Sequence, residues 1–413
     1  MTARKETVVV GAGVVGLAVA LRLARMGEEV TILDPLPPGG RASFGNAGII
    51  NPATVMPMSQ PGMLRKVPGW VTDPQGPLFI PPRYFPAALP WLLAYLRAGS
   101  PQQVRRIAAG MNWLYRDCVA DWEYLTGSDF MTGNMSFEGA LQLGLGKADP
   151  RAAALGAEIR KHYGIESETL DESALRMRVP DVMPEITSGL LLKAGGFTRD
   201  PAALCAHLAA EFVALGGEIV ARNVLRIERQ APRLLSLFTN LHPVTCRRVI
   251  VAAGVWSAEL LAPLGIRVPM QAERGYHATL PGHNVRLDMP VSFKDRGFSV
   301  APMAGGLRVA GTVEFSGLHR PPDMTRARRL VDHAHELFPG ITHDEPLLWS
   351  GFRPSLPDSL PVIGATDESR DVIMAFGHSH WGITGAPGTA RVVADIVRGE
   401  MAPEMAAYSH TRF

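Results

Sequence analysis

Gly11, Gly13 and Gly16 follow the β-forming run Thr7-Val8-Val9-Val10 at the spacing Gly-x-Gly-x-x-Gly, and Asp34 ends a second apolar run, Val30-Thr31-Ile32-Leu33. That pattern suits dinucleotide binding. Glycines allow a tight turn and close backbone approach to a pyrophosphate, the next helix aims free N–H groups and its positive dipole end at that anion, and a carboxylate after the second strand hydrogen-bonds a ribose diol. The fingerprint alone leaves FAD and NAD(P) both open. A ligand-free glycine turn is the poorer reading, because the strand before it and the acid after it complete the unit. Gly144-Leu145-Gly146 lacks a third glycine and a following helix, so no separate NAD(P)H site is expected. No Ser–His–Asp, Cys–His or paired-carboxylate arrangement stands out elsewhere.

These residues need a βαβ unit to hold them: a strand to Val10, an amphipathic helix from Val14 to Met26 and a strand to Asp34. The 413 residues suit two domains, one inserted in the other. With 41 Lys and Arg against 39 Asp and Glu, net +2, and no dense basic run, nothing favours nucleic acid. The partner expected is a small molecule. Cys118, Cys205 and Cys246 lie far apart without CxxC or His-rich spacing, which argues against disulfides, zinc or an iron–sulfur cluster; no metal site is expected. That cysteine pattern fits a reducing cytosol, and the short stretch before the first strand has no room for a secretory leader, so secretion by that route is not expected.

Asn51 to Pro90, rich in proline, glycine and methionine, reads as a long excursion from the first unit. Within it, Phe79 to Leu96 is apolar but broken by four prolines and an arginine, well short of the roughly 20 apolar residues of a membrane span. Phe85 to Arg97 reads as a short helix packed on its own domain; its aromatics, Arg97 and Arg105-Arg106 would also suit a membrane surface. Helical spacing follows over Arg105–Leu125 and Ala152–Tyr163, and strand patterns over Met135–Leu145 and Gly189–Lys193. The dinucleotide domain resumes near Asp200 with the helix Pro201–Leu215, the strand Glu218–Ala221 and the strand end Val249-Ile250-Val251-Ala252-Ala253-Gly254. Strands from Val268 to Thr312 and a helix from Met324 to Phe338 return to the second domain. Trp349–Gly364, a strand Val372–Ala375 and a helix near Pro387–Arg398 close the chain.

The tail holds Gly351-Phe352-Arg353-Pro354 and then Gly377-His378-Ser379-His380-Trp381-Gly382-Ile383-Thr384. With the N-terminal unit, Ser43-Phe44-Gly45-Asn46-Ala47-Gly48 and Ala252-Ala253-Gly254-Val255-Trp256, the chain resembles the FAD-dependent D-amino acid oxidase superfamily. It is most similar there to the bacterial D-amino acid dehydrogenase and D-hydroxyproline dehydrogenase branch. The likeness runs over the whole chain with the motifs in family order.

The resemblance implies an α/β fold: a Rossmann-like FAD-binding domain (1–55, 197–257 and 345–413) and a discontinuous α+β substrate domain with an antiparallel sheet (56–196 and 258–344). It implies FAD as cofactor. Gly11, Gly13, Val14, Val15, Gly16, Asp34 and Pro35 would hold its ADP part, with Val224 at the adenine and Ala253, Gly254 and Trp256 in a second turn. Ser43, Asn46, Ala47 and Gly48 would run beside the pyrophosphate and isoalloxazine. Gly377, His378, Gly382, Ile383 and Thr384 would place a helix N-terminus where reduced flavin gathers negative charge.

It also implies Arg353 as the partner of a substrate carboxylate, since a planar guanidinium binds one bidentately, although an arginine tied to an acid such as Asp358 is the alternative. His380, at a position where glycine oxidases carry an arginine, would bond a substrate hydroxyl or carboxylate, or else face solvent; Tyr276 and His277 would line the pocket. The implied reaction is hydride transfer from the α-carbon of a D-amino acid or cyclic D-imino acid to flavin N5, without a dedicated base, giving an imine that water hydrolyses. Sarcosine-, glycine- or opine-type oxidation and a non-catalytic FAD-binding subunit are the alternatives. Electrons would pass to oxygen, quinone or a partner protein, in the cytoplasm or at the inner face of the cell membrane.

Overall fold

The computed structural model describes residues 4–63, 69, 76–144, 149–293 and 296–413. Leu145 and Gly146, at the end of one expected strand and in the second glycine pattern, lie outside the described residues, as does part of the Asn51–Pro90 excursion. Five parallel strands form the centre of the first sheet, in the order Glu218–Ala221, Val30–Asp34, Lys5–Val10, Val244–Val251, Val372–Phe376. Their alternation decides the layers. Val9, Ile32, Ile250 and Ile373 face one apolar core, whereas Val8, Val10, Leu33, Val249, Val251 and Met374 face another, so each central strand is buried on both sides. The helices Val14–Arg25, Pro201–Ala214 and Gly382–Arg398 cover the first of these faces with Leu17, Leu21, Leu208 and Val393.

Val244–Val251 has a divided outer edge. Val244 to Cys246 pair with the antiparallel strand Leu234–Thr239, while Val249 to Val251 pair with Val372 to Met374. On its inner edge, Cys246 to Val251 lie beside Lys5–Val10.

The second sheet is mostly antiparallel, with Gln271–Leu280 between Leu347–Ser355 and Gly306–Phe315. The helix Thr325–Leu337 packs Ala327, Leu330, Ala334 and Leu337 against Ala278, Leu280 and Val309. Leu347–Ser355 therefore belongs to this sheet, although residues from 345 onward are expected in the dinucleotide domain; its pairing with Gln271–Leu280 is invisible to local pattern. Arg105–Leu125 is likewise two helices, Pro101–Tyr115 and Cys118–Thr126.

The last helix starts at Gly382 rather than near Pro387, which sits inside it. Proline has no N–H to give to the carbonyl four residues back, and Trp122 Nε1 donates to that orphan, Ile383 O, at 3.2 Å. The helix Phe85–Ala98 buries Ala88 and Trp91, with Trp91 against Phe315 at 4.9 Å, and leaves Phe85, Leu89 and Leu93 exposed. Among the described residues no helix is long and apolar enough to cross a membrane.

Candidate cofactor and substrate site

A cavity of about 1570 Å³ opens at the carboxyl ends of the parallel strands and continues to the second sheet. Single-ligand sites usually hold about 300–1,000 Å³, so this one has room for a dinucleotide and a small substrate together. Its first part is built by the fingerprint. Gly11 has φ +113°, and a Cβ there would lie 2.5 Å from Ala252 O; a Cβ on Gly16 would lie 1.9 Å from Gly11 O. Helix and strand therefore meet at glycine distance, and Gly16 packs rather than lines the cavity.

The helix start carries no acidic residue and no cap from Gly13, and Val14 N–H donates to Ser43 Oγ at 2.9 Å. That leaves an electropositive end facing the cavity, which Val14 and Val15 line. Asp34 Oδ2 accepts from Ala12 N–H and Oδ1 from Leu36 N–H, both at 2.8 Å. Each oxygen keeps a lone pair for a diol. Pro35, Val224, Ala253, Gly254 and Trp256 line the same space, and the Arg41 guanidinium stacks 4.1 Å over the Trp256 ring. These residues fit FAD: a helix N-terminus without an acidic first turn for the diphosphate, a carboxylate for the ribose and glycines where the backbone must come close.

The loop Ser43–Gly48 is fastened from the second sheet. Arg308 Nη1 donates to Phe44 O at 3.0 Å and Asn46 O at 2.8 Å, and its Nε reaches Thr279 Oγ1 at 3.3 Å. Burial lowers this arginine to about 10. Ser43, Asn46 and Ala47 line the cavity; Gly48 does not. With φ +71°, Gly48 donates N–H to Asn46 Oδ1, and a Cβ would lie 2.3 Å from Thr198 O, so its role is the bend.

His277 departs from expectation. Its ring stacks on Trp349 at 5.0 Å and its Nδ1, 3.1 Å from Gly45 O, must carry the proton because a carbonyl only accepts. It lies outside the cavity lining and pins the same loop. Tyr276 borders the cavity, but its ring is buried in the second-sheet core, its hydroxyl donating to Glu314 Oε2 at 2.6 Å and accepting Asp323 N–H at 3.1 Å.

Residues 273, 275 and 277 share one strand face, and Glu273 is directly opposite Arg353 in register. Arg353 Nη1 donates to Glu273 Oε1 at 2.8 Å and Thr312 O at 3.1 Å, with Nη2 3.4 Å from Gly311 O. The guanidinium lies where a side chain at position 275 would be: a Cβ on Gly275 would be 2.3 Å from Arg353 Cζ. His380 Nε2 approaches Glu273 Oε1 to 2.6 Å at an oblique angle, and Ser355 Oγ donates to Oε2 at 2.9 Å. Burial alone pushes the Glu273 carboxyl up, but His380 and Arg353 beside it outweigh this and hold it at about 2. Arg353 is thus paired with Glu273; Asp358, its expected rival partner, is taken by Arg412 at 2.7 Å.

Gly377, His378, Gly382 and Ile383 line the cavity at the last helix's start, whereas Thr384 does not. Thr384 Oγ1 accepts Asn51 N–H and donates to Ile49 O, each at 3.2 Å, tying that helix to the excursion. His378 Nε2 lies 2.7 Å from Thr389 Oγ1, and burial lowers the ring to about 3. His277 is also lowered to about 3 by burial, with Arg308 adding to the effect.

Both rings stay neutral in the fold, while an unfolded chain protonates them at about 6.5. Their contribution is complete above that value and is lost as pH falls toward about 3. Calorimetry of the flavin-loaded protein is expected to show Tm falling between pH 7 and pH 5, with His378→Gln less sensitive; a flat Tm would contradict this.

Glu273, Gly275, Arg308 and Arg41 were not among the site residues expected from sequence. Only strand register reveals the first three, and Arg41 shows itself only through its stack on Trp256.

The sequence matches the family described as DAO, FAD dependent oxidoreductase, over residues 6–396. A D-amino-acid oxidase of Bradyrhizobium diazoefficiens is 35% identical over 420 residues, covering 99% of each chain. A D-amino acid dehydrogenase of Cereibacter sphaeroides is 32% identical over 413 residues, covering 96% of this chain and 92% of its own. An L-proline dehydrogenase structure from P. horikoshii superposes with a TM-score of 0.77 at 18% identity, over 100% of this chain and 98% of that one; at that identity the likeness concerns the fold.

Proposed function

The chain belongs to the DAO family of FAD dependent oxidoreductases, and from that premise we propose that it oxidises a D-amino acid or cyclic D-imino acid at its α-carbon. The observation that carries this reading is the Arg353–Glu273 pair in the cavity that the dinucleotide fingerprint also lines. A guanidinium and a carboxylate side by side complement a zwitterion. The substrate's carboxylate would take the outer edge of Arg353, and its ammonium would lie toward Glu273 and His380. The 35% identity to a D-amino-acid oxidase and 32% to a D-amino acid dehydrogenase supports the D configuration.

FAD held by these residues would supply the two-electron acceptor for the α-hydrogen. This chain's residues orient and enclose. Arg353 would fix the carboxylate, Gly275 leaves space for that guanidinium, and Arg308 with His277 holds the loop Ser43–Gly48 at the cavity wall. The helix at Gly382 presents backbone N–H groups to developing negative charge. Water then hydrolyses the released imine to a 2-oxo acid and ammonia, whereas a cyclic substrate leaves as a cyclic imine.

Anaerobic bleaching of the bound flavin tests the reading, with D-alanine, D-proline, cis-4-hydroxy-D-proline, glycine, sarcosine and opines as the panel. Bleaching by the D-amino acids is expected. Faster bleaching by glycine, sarcosine or opines would move the substrate to a small or secondary amine, and no bleaching at all would favour a non-catalytic FAD-binding subunit. Reoxidation by air compared with a quinone then identifies the electron acceptor.

A further inference from the structure

We propose that His380, oriented by Glu273, is the base that removes a proton from the substrate ammonium before the α-hydrogen leaves. The proposal rests on the amino acid reading above and adds to it the step that makes the nitrogen lone pair available. Hydride departure from the α-carbon requires that lone pair to form the C=N bond, yet an amino acid reaches the site chiefly as an ammonium ion at neutral pH. One proton must therefore move.

The structure supplies an acceptor for it. Glu273, paired with the permanent cation Arg353 at 2.8 Å, presents an accepting Oε1, and the His380 Nε2 lies 2.6 Å from it in an oblique contact that favours the ring's proton on Nε2. In the neutral ring this leaves Nδ1 as the basic nitrogen. Nε2 is itself buried, so the 27% exposure of the His380 side chain falls on its other atoms, on a ring that lines the cavity beside Arg353. When Nδ1 takes the proton, the N–H bond of the ammonium breaks with its electron pair staying on nitrogen, and the imidazolium formed lies against a carboxylate. A carboxylate behind a histidine fixes the ring and its tautomer and stabilises its charged form. Glu273 is in that sense a positioning residue: it acts on the substrate through His380 and Arg353. The proton leaves to solvent after the product departs.

The other groups around the pair do not compete. Arg353, on the neighbouring strand, is a permanent cation. His378, two residues away along the chain, is neutral and bonded to Thr389. On the helix Phe85–Ala98, the Tyr95 hydroxyl is kept protonated, first by burial and then by the Glu273 charge, and it bonds Met63 Sδ at 3.1 Å. Ser355 is spent on Glu273 Oε2. His380 is the one proton acceptor that the described residues bring to this end of the cavity without another bonding partner that would consume its basic nitrogen.

The test is stopped-flow anaerobic reduction of the bound FAD by saturating D-alanine and D-proline between pH 6 and pH 10, in wild type, His380→Asn and Glu273→Gln. Flavin absorbance and Tm first establish that each variant is folded and loaded. Wild type is expected to hold a nearly level rate from neutral pH upward. His380→Asn is expected to fall on the order of 100-fold at pH 7, as the loss of a general base does, and to climb by roughly tenfold per pH unit toward the wild-type rate as the free amine forms in solution. Glu273→Gln is expected to show the same alkaline recovery with a smaller loss at pH 7, because His380 remains but its imidazolium has lost its counter-charge. A His380→Asn rate within twofold of wild type at pH 7, or one lowered by the same factor at every pH, would overturn the proposal. Wild-type flavin that no panel amino acid bleaches at any pH would instead overturn the amino acid reading on which it rests.

Discussion

Gly11→Ala is expected to abolish flavin binding, leaving either a colourless folded protein or insoluble chain. The added methyl would sit 2.5 Å from Ala252 O and 2.8 Å from Ala252 C, both main-chain atoms of the adjacent strand end, with no flexible side chain to give way. At φ +113° an alanine is strained before any contact is counted, by about 1–3 kcal/mol. Relief requires the turn to shift. That shift would move Ala12, whose N–H holds Asp34, and the helix start at Val14, so the ribose and diphosphate contacts are disturbed together. Gly364→Ala is the control: nothing lies within 4 Å of its added Cβ, and it is expected to keep its flavin. The ratio of flavin to protein absorbance after purification measures both, and a Gly11→Ala protein with full flavin content would remove the fingerprint from the cofactor site.

Arg353→Lys is expected to keep its flavin and to lose substrate affinity. An ammonium cannot reproduce the fork that holds Glu273 Oε1 and Thr312 O on Nη1 while leaving an edge for a carboxylate. Losing one charged, bidentate pairing costs on the order of 2–5 kcal/mol. Since each 1.4 kcal/mol is tenfold, KM is expected to rise roughly 30-fold or more. A lysine still neutralises Glu273, so stability should change little. Arg353→Met, by contrast, leaves a buried carboxylate with, among the described residues, the His380 ring as its remaining charge-capable neighbour, and its Tm should fall as well. Steady-state kinetics with the fastest substrate of the panel, alongside the flavin spectrum, separates the two effects; an unchanged KM in Arg353→Lys would take Arg353 out of substrate binding.

The parts of this molecule that could be read from sequence are those whose cause is local. Val8 to Val10 alternate between two cores and so had to be a strand buried on both faces, and Gly11, Gly16 and Asp34 carry their geometry within one βαβ unit. Arg353 and His380 stood out through their motifs. What stayed hidden depends on register. On Gln271–Leu280 a shift of one residue exchanges Glu273 and His277 for Arg274 and Tyr276, and nothing local says which set faces the cavity. Tyr276 and His277 were both expected in the pocket; the cavity is bordered by Glu273, Gly275 and Tyr276, while His277, further along the Glu273 face, is turned to Gly45 O and Trp349 instead. Arg308 was hidden for a related reason: a charged residue among apolar neighbours in a strand becomes intelligible only once Phe44 O and Asn46 O, far away in the chain, are seen to be its partners.

The divided edge of Val244–Val251 has a consequence for the history of each molecule. Lys5–Val10 has Val30–Asp34 on one side early in synthesis, but its other side stays open until Val244–Val251 emerges, and that strand in turn waits for Val372–Phe376. At about 5–20 residues per second, a ribosome leaves this apolar strand one-sided for roughly tens of seconds. During that interval the nascent chain presents a bare β-edge of the kind that pairs with other chains. Soluble yield in a heterologous host is expected to rise with cooler expression or with a chaperone that holds nascent strands, because each shields that edge during translation.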